Sequence, residues 1–262
     1  MKILNDKKLK ISIITVTRNC SNVIEDCLRS VKEQNYDNIE HIIIDGESSD
    51  NTMFLLQAKK NQLTKLVSER DNGIYDAMNK GIRLASGDII GFLNSDDFYL
   101  NDKVISRVAN IFNNTSDLDA CYADLVYVDK INTNKIIRYW KSSKFVPGLF
   151  SKGWSPPHPT FFVRRSLFKS FGDFDLRFNI ASDVDLMIRF LEINKIKCFY
   201  IPELWVKMRL GGTTNKNLKN ILLQNLEILN SLNKNKLPRN FIIFFLYKFI
   251  SKLKQFYNKP NV

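Results

Sequence analysis

Apolar and polar positions alternate in blocks along the first hundred residues. Ile11 to Val16 is a short β-branched run, the signature of a buried strand. A cap-like start at Asn22 follows, and Val23, Ile24, Cys27, Leu28 and Val31 then recur at helical spacing on one face. The same unit repeats. Ile39 to Ile44 predicts a strand ending at Asp45, Asn51 to Lys60 a helix, Leu66 to Ser68 a strand, Ile74 to Ala85 a helix and Asp88 to Leu93 a further strand. Such alternation predicts a mostly parallel sheet flanked by helices.

Beyond residue 100 the pattern loses its regularity. Ala120 to Val128 and Lys135 to Trp140 read as paired strands, Thr160 to Val163 as another, and Ser182 to Ile193 as a helix, so the sheet is expected to become mixed. After Thr214 the composition shifts to Asn, Lys, Leu and Ile, predicting two helices broken at Pro238. The expected organisation is an α/β unit over residues 1–214, with a nucleotide-binding half at about 10–100 and an acceptor half at about 101–214, followed by a basic amphipathic tail over 215–262.

Composition narrows the function. The 262 residues, 44% of them hydrophobic, suffice for one sizeable core. The formal charge of +12 is concentrated at the end, where Lys216, Lys219, Lys234, Lys236, Arg239, Lys248, Lys252, Lys254 and Lys259 face one acid, Glu227. No zinc-finger spacing or RNA-recognition signature accompanies these cations, so no nucleic-acid partner is expected. Phe241 to Tyr257 interleaves bulky apolar residues with lysines, which suits a helix on an anionic membrane surface and equally a helix packed on the core with its lysines in water. No run of 18 apolar residues and no signal-peptide pattern occurs, so a cytoplasmic protein, peripheral at the inner face of the membrane, is expected. Cys20, Cys27, Cys121 and Cys198 lack metal or redox spacing and read as reduced thiols.

In parallel sheets ligands sit beyond the carboxyl ends of the strands. The residues there are Thr17 to Asn19, Asp45 to Asp50, Glu69 to Gly73 and Asn94 to Asp97, a set rich in acids and amides. Asp96 and Asp97 follow a buried run, as hard oxygen ligands for Mg²⁺ or Mn²⁺ would, although two acids there also suit a cap for the helix beginning near Asp102.

In their order and spacing, the segments Ile13 to Asn19, Ile44 to Thr52, Asp71 to Gly81, Gly87 to Asp97 and Ser182 to Arg189 resemble glycosyltransferase family 2, over roughly residues 10–212. The resemblance implies a GT-A (Rossmann-like) fold and an inverting, metal-dependent transfer of a hexose or N-acetylhexosamine from a UDP-sugar donor. It also implies a polyprenyl-diphosphate-linked saccharide acceptor in O-antigen or capsule assembly. Carried over by position, Thr17 and Asn19 line the donor nucleotide, Asp45 contacts its base or ribose, and Asp71 and Asn79 close around it. Asp96 holds Mn²⁺ or Mg²⁺ with Asp97 beside it, Arg209 and Lys207 meet the diphosphate from a loop over Val206 to Thr214, and Asp183 is the general base. Two departures stand out. Asn94 occupies the place of the first acid of the family's D-x-D motif and brings an acceptor without charge, and Ser182 precedes Asp183 where the family often has Glu, which leaves Asp185 as a rival for the base. Both acids also suit a helix N-terminus. His158 lies between the halves and, like His41 in its strand, reads as structural. The alternatives are a nucleotidyltransferase, for which no Gly-rich phosphate loop follows the first strand, and a non-catalytic nucleotide-sugar-binding protein.

Overall fold

The computed structural model describes residues 8–211 and 218–257. One mixed sheet organises them, in the order β3-β2-β1-β4-β8-β6-β9-β5, with β7 paired to β6. The strands are β1 (Ile11–Thr17), β2 (Ile39–Asp45), β3 (Lys65–Ser68), β4 (Ile89–Phe92), β5 (Phe98–Tyr99), β6 (Ala120–Val128), β7 (Ile136–Trp140), β8 (Phe162–Arg164) and β9 (Cys198–Arg209). Between and after them run α1 (Ile24–Lys32), α2 (Thr52–Ala58), α3 (Ile74–Leu84), α4 (Val104–Asn114), α5 (Ser166–Phe171), α6 (Ser182–Met187), α7 (Leu218–Lys234) and α8 (Phe241–Tyr257). The helix expected to reach Ile193 is α-helical only to Met187 and continues as π-helical turns.

β1 to β4 are parallel, and their registers bring the strand ends to one level. Thr17 pairs with Asp45, Asp45 with Ser68, and Ile14 with Phe92, so Asn94 to Asp97 leave the sheet beside the end of β1. From β8 onward antiparallel pairs enter, because β8 runs against both β4 and β6. The sheet is therefore mixed, as the loss of alternation predicts.

Each face of the sheet buries its own core. Ile11 and Ile13 point towards α1, α2 and α4, while Ile14 and Val16 point towards α3, α5 and α6. The alternation follows from the two-residue period of a strand. Gly81 lets α3 approach β1, since a Cβ there would collide with Ile14. Ile228, Leu229 and Leu232 of α7 and Phe244 of α8 belong to the second of these cores, so the C-terminal helices pack on the α/β unit.

The twelve-residue β9 is the longest element that the hydrophobic pattern missed, along with the short β5 and α5. Pro202 interrupts it, and its register against β6 shifts between Tyr122 and Asp124, where a bulge absorbs the residue that cannot donate to the ladder. Val206 to Arg209, expected in a loop over the donor, are consequently the end of this strand. Gly211 follows at φ 108, and Gly212 to Thr214 lie outside the described residues.

Candidate active site

The loops after β1 and β2 are tied together by the residues singled out in them. Asn19 adopts the left-handed conformation at φ 51. Its N–H donates to Ser48 Oγ at 2.8 Å, and its Oδ1 accepts from the Ser49 N–H at 2.8 Å. That conformation costs about 1 kcal/mol for a residue with a side chain, and these bonds hold it. Asp45 is fully buried, yet it accepts from Ser48 N–H at 3.0 Å, Ser48 Oγ at 2.5 Å and Ser68 Oγ at 2.7 Å. Thr17 Oγ1 lies 2.6 Å from Cys20 Sγ. A Cβ at Gly46 would strike the Asp71 carboxylate and touch Arg18, which places three loops around one point. Asp71 also accepts from the Gly73 N–H at 2.9 Å.

Asn79 stands apart from this group. Its oxygen accepts from the Phe174 N–H and its amide donates to the Phe174 carbonyl, both at 2.9 Å. The amide expected to close on the nucleotide is thus spent on main chain, and it fastens α3 to the segment leading to α6.

The loop after β4 carries the oxygen atoms suited to a cation. Asp97 is fully buried, its Oδ1 has no partner, and Asn94 Oδ1 is likewise buried and unpartnered. Burial, reinforced by the Asp96 charge, holds the Asp97 carboxyl well above the usual carboxylate range, against the pull of the Arg209 main-chain N–H and the Asn94 amide. Asp96 is half-buried and is also raised by burial, with Arg209 opposing. Among the described residues no group of three His, Cys, Asp or Glu forms a protein cage for a metal. Two acids and an amide oxygen with free acceptor capacity fit a hard divalent ion that takes its remaining ligands from phosphates and water.

Arg209, at the end of β9, closes over this loop. One guanidinium nitrogen donates to the Asp96 carbonyl at 2.9 Å, another pairs with Asp26, and the group lies 5.0 Å from the centroid of the Phe98 ring. Its Nε is buried and has no partner. The cation therefore stands against the metal-type loop, with donor capacity to spare.

At the other side of the site the two rival acids of α6 have different surroundings. Asp185 is fully buried and saturated: it takes Arg189 at 2.9 Å, Lys234 at 3.1 Å and Ser231 Oγ at 2.6 Å. Asp183 is half-buried, and Oδ1 accepts from the Tyr75 hydroxyl at 2.9 Å. That hydroxyl also lies 2.8 Å from the Ile180 carbonyl, so two acceptors share one proton. His158 stacks on Phe92 at 5.2 Å, its Nε2 is unpartnered, and burial pushes its imidazole below the ordinary value while the Asp183 charge opposes. Tyr75 was missed as a site residue, although it stands inside the Asp71 to Gly81 segment that signalled the site.

The C-terminal helix packs through a narrow, mixed face and leaves much of its apolar surface outward. Its buried and half-buried positions are Phe244, Tyr247, Lys248, Ser251 and Gln255. Outward it presents apolar side chains, among them Ile242 at 80% exposure, Phe249 at 63% and Tyr257 at 85%. Leu218, Leu222 and Leu226 of α7 are exposed as well. Lys248, turned inward, donates to Asn225 Oδ1 at 2.7 Å, and burial first, then Lys252, brings its amine down to about 8. No helix among the described residues is long and apolar enough to cross a membrane.

Four parallel strands whose ends gather polar loops, continued by a mixed set of strands and an acid at the start of α6, make up the GT-A fold of nucleotide-sugar-dependent glycosyltransferases. The chain belongs to glycosyl transferase family 2, whose profile matches residues 12–173. It is 32% identical over 196 residues to a PGL/p-HBAD biosynthesis glycosyltransferase of Mycobacterium bovis, covering 74% of this chain and 71% of that one. Among solved structures it resembles Staphylococcus aureus TarS in complex with UDP-GlcNAc, with a TM-score of 0.66, 18% identity, and 86% and 66% of the two chains covered. It also resembles a mannosyltransferase of Pyrobaculum calidifontis in complex with GDP-Man and Mn²⁺, with a TM-score of 0.63, 15% identity, and 94% and 70% covered.

Proposed function

We propose that this glycosyltransferase inverts the anomeric centre of a UDP-hexose or UDP-N-acetylhexosamine, moving the sugar to a saccharide on a polyprenyl diphosphate during surface polysaccharide assembly such as O-antigen or capsule. The observation that carries the reading is the contrast within α6. Asp185 is fully buried with both oxygens bonded, whereas Asp183 is only half-buried and is oriented by Tyr75. A general base needs a carboxylate within hydrogen-bond reach of the nucleophile. Asp183 takes the proton of the acceptor hydroxyl as its oxygen bonds to the anomeric carbon and the bond to the nucleoside diphosphate breaks on the opposite face. One displacement gives inversion.

On the donor side, Thr17, Asn19, Asp45 and Asp71 shape the nucleotide pocket, and Asn94 offers its free oxygen to a ribose hydroxyl or to a cation. Asp96 and Asp97 would hold Mn²⁺ or Mg²⁺, which supplies positive charge to the departing diphosphate when bound. Arg209 adds a fixed cation on the same side. TarS in complex with UDP-GlcNAc supports a uridine donor, and the mannosyltransferase makes GDP-mannose a necessary arm of any donor panel.

The outward apolar face of α8 supports a peripheral membrane contact, where a lipid-linked acceptor resides. Interfacial helices bury such faces at the headgroup boundary, and each nearby lysine adds about 1 kcal/mol on an anionic surface. The test is nucleotide release from a panel of UDP-sugars and GDP-mannose, with a synthetic GlcNAc-diphospho-lipid acceptor, with and without Mn²⁺. Acceptor-dependent release that is lost in Asp183→Asn and Asp96→Ala is expected. Wild-type turnover in Asp183→Asn would overturn the assignment of the base.

A further inference from the structure

We infer that Glu227 of α7 is a positioning residue for the general base, so that the C-terminal helices, which lie beyond the segment matched by the family, are part of the catalytic machinery. The inference rests on the reading of Asp183 as base. Glu227 is buried, with 6% of its surface exposed, and it is the one acid among the many cations after residue 214. Its Oε1 accepts from the Asn179 N–H at 2.9 Å, and its Oε2 from the N–H groups of Ile180 at 2.8 Å and Ala181 at 2.9 Å. These three consecutive amides lead into α6, Ala181 being its N-cap, and Asp183 is two residues further on.

Buried main-chain N–H groups need acceptors, and one carboxylate that takes three consecutive ones fixes that stretch of backbone, the last of them at the N-cap of α6. The same short segment supplies the Ile180 carbonyl that shares the Tyr75 proton with Asp183. Glu227 therefore fixes the main chain on which the Tyr75 and Asp183 contact depends. One and two turns further along α7, Ser231 and Lys234 hold Asp185 of the same helix, which gives α6 a second attachment to α7. Among the described residues the bonds that Glu227, Ser231 and Lys234 make to the α/β unit all end within residues 175–185, so the attachment is expected to act on the base more than on the donor pocket.

The test compares the full-length wild type with Glu227→Gln, Glu227→Asp and Asp183→Asn, using the donor that turns over in the panel above. Glu227→Gln replaces an acceptor by an amide donor facing main-chain N–H groups. It is expected to lower kcat tenfold or more, to leave UDP affinity within twofold, and to move the acidic limb of the kcat profile upward as Asp183 loses the Tyr75 hydrogen bond. Glu227→Asp keeps the charge and retracts it by one methylene, so it is expected to fall between wild type and Glu227→Gln, and it carries the test if the Gln variant does not fold. Hydrogen exchange over residues 179–183, which needs no substrate, is expected to quicken at least tenfold in the variant. A folded Glu227→Gln with unchanged kcat, pH profile and exchange overturns the inference, as does an equal loss of UDP binding and turnover. If Asp183→Asn is inactive while Glu227→Gln behaves as wild type, only the positioning role fails. If Asp183→Asn turns over normally, the base assignment fails first.

Discussion

The Tyr75 hydroxyl lies 2.9 Å from Asp183 Oδ1, joining α3, which starts beyond the third strand end, to the start of α6. The two residues are 108 positions apart. Through this contact the segment that carries Asp71 at its beginning and Asn79 near its end reaches both halves of the site. Asp71 faces Gly46 and Arg18 in the loops after β2 and β1, while Asn79 grips Phe174. The loops after β2 and β3 and the start of α6 are thereby held in one frame.

The contrast between the two acids of α6 predicts opposite phenotypes. Asp185→Asn leaves Arg189 and Lys234 short of their buried partner and is expected to cost about 3 kcal/mol in urea unfolding. Asp183→Asn loses one partly exposed contact and is expected to stay within about 0.5 kcal/mol of wild type while kcat falls about 100-fold or more. Equal stability losses in the two variants would remove the distinction.

Asn94 predicts a gain on substitution. In Asn94→Asp a further carboxylate joins Asp96 and Asp97, so without metal the variant is expected to melt lower than wild type, because like charges are forced together where Asp97 is already pushed upward. With Mn²⁺ its melting temperature is expected to rise more than that of wild type. An identical Mn²⁺ response in the two proteins would argue against a cation at this loop.

His41 gives a pH dependence of stability. It is buried beside Thr15, with Oγ1 and Nε2 3.1 Å apart, and burial pushes its imidazole down to about 3. Between that value and the unfolded value near 6.5 the unfolded chain binds a proton that the folded chain does not, so this contribution is full above about pH 6.5 and is lost as the pH falls. The loss reaches about 2 kcal/mol at pH 5. Urea midpoints measured from pH 7 to pH 5 should fall more steeply in wild type than in His41→Gln. Parallel slopes would show that His41 takes up its proton in the fold as readily as in the unfolded chain.

Much of this could be read from residue patterns, and the remainder has identifiable physical causes. The parallel half was legible because β1 to β4 are short apolar runs separated by helices with one buried face, and because their ends carry acids and amides. β9 was hidden by Pro202, which argues against a strand until the bulge beside it is seen. Asn79 is expected at the nucleotide by the family resemblance alone, and its position on α3 turns it towards Phe174 instead. Glu227 carried one signal, that of a lone acid in a basic tail, and its target is a main-chain segment 46 to 48 residues away that no side-chain pattern marks. The orientation of α8 was open because its lysines and aromatics alternate too densely for one face to stand out. Packing decides it by turning Lys248, Ser251 and Gln255 inward.

That orientation predicts membrane binding through named side chains. Ile242→Glu with Phe249→Glu changes exposed positions and is expected to leave the melting temperature nearly unchanged while abolishing co-flotation with vesicles containing anionic lipid. High salt is expected to weaken wild-type flotation, as the lysines imply. Undiminished flotation of the double variant would move the membrane contact away from α8.

The most direct test of the central claim is the anomeric configuration of the product, read by proton NMR from the coupling at the newly formed linkage. A single displacement with Asp183 as base converts an α-linked UDP-sugar into a β-linked product. A β-linkage formed by wild type and absent with Asp183→Asn is the predicted result. An α-linked product would contradict the mechanism, because retention requires two displacements or a front-face reaction in which Asp183 has no such part.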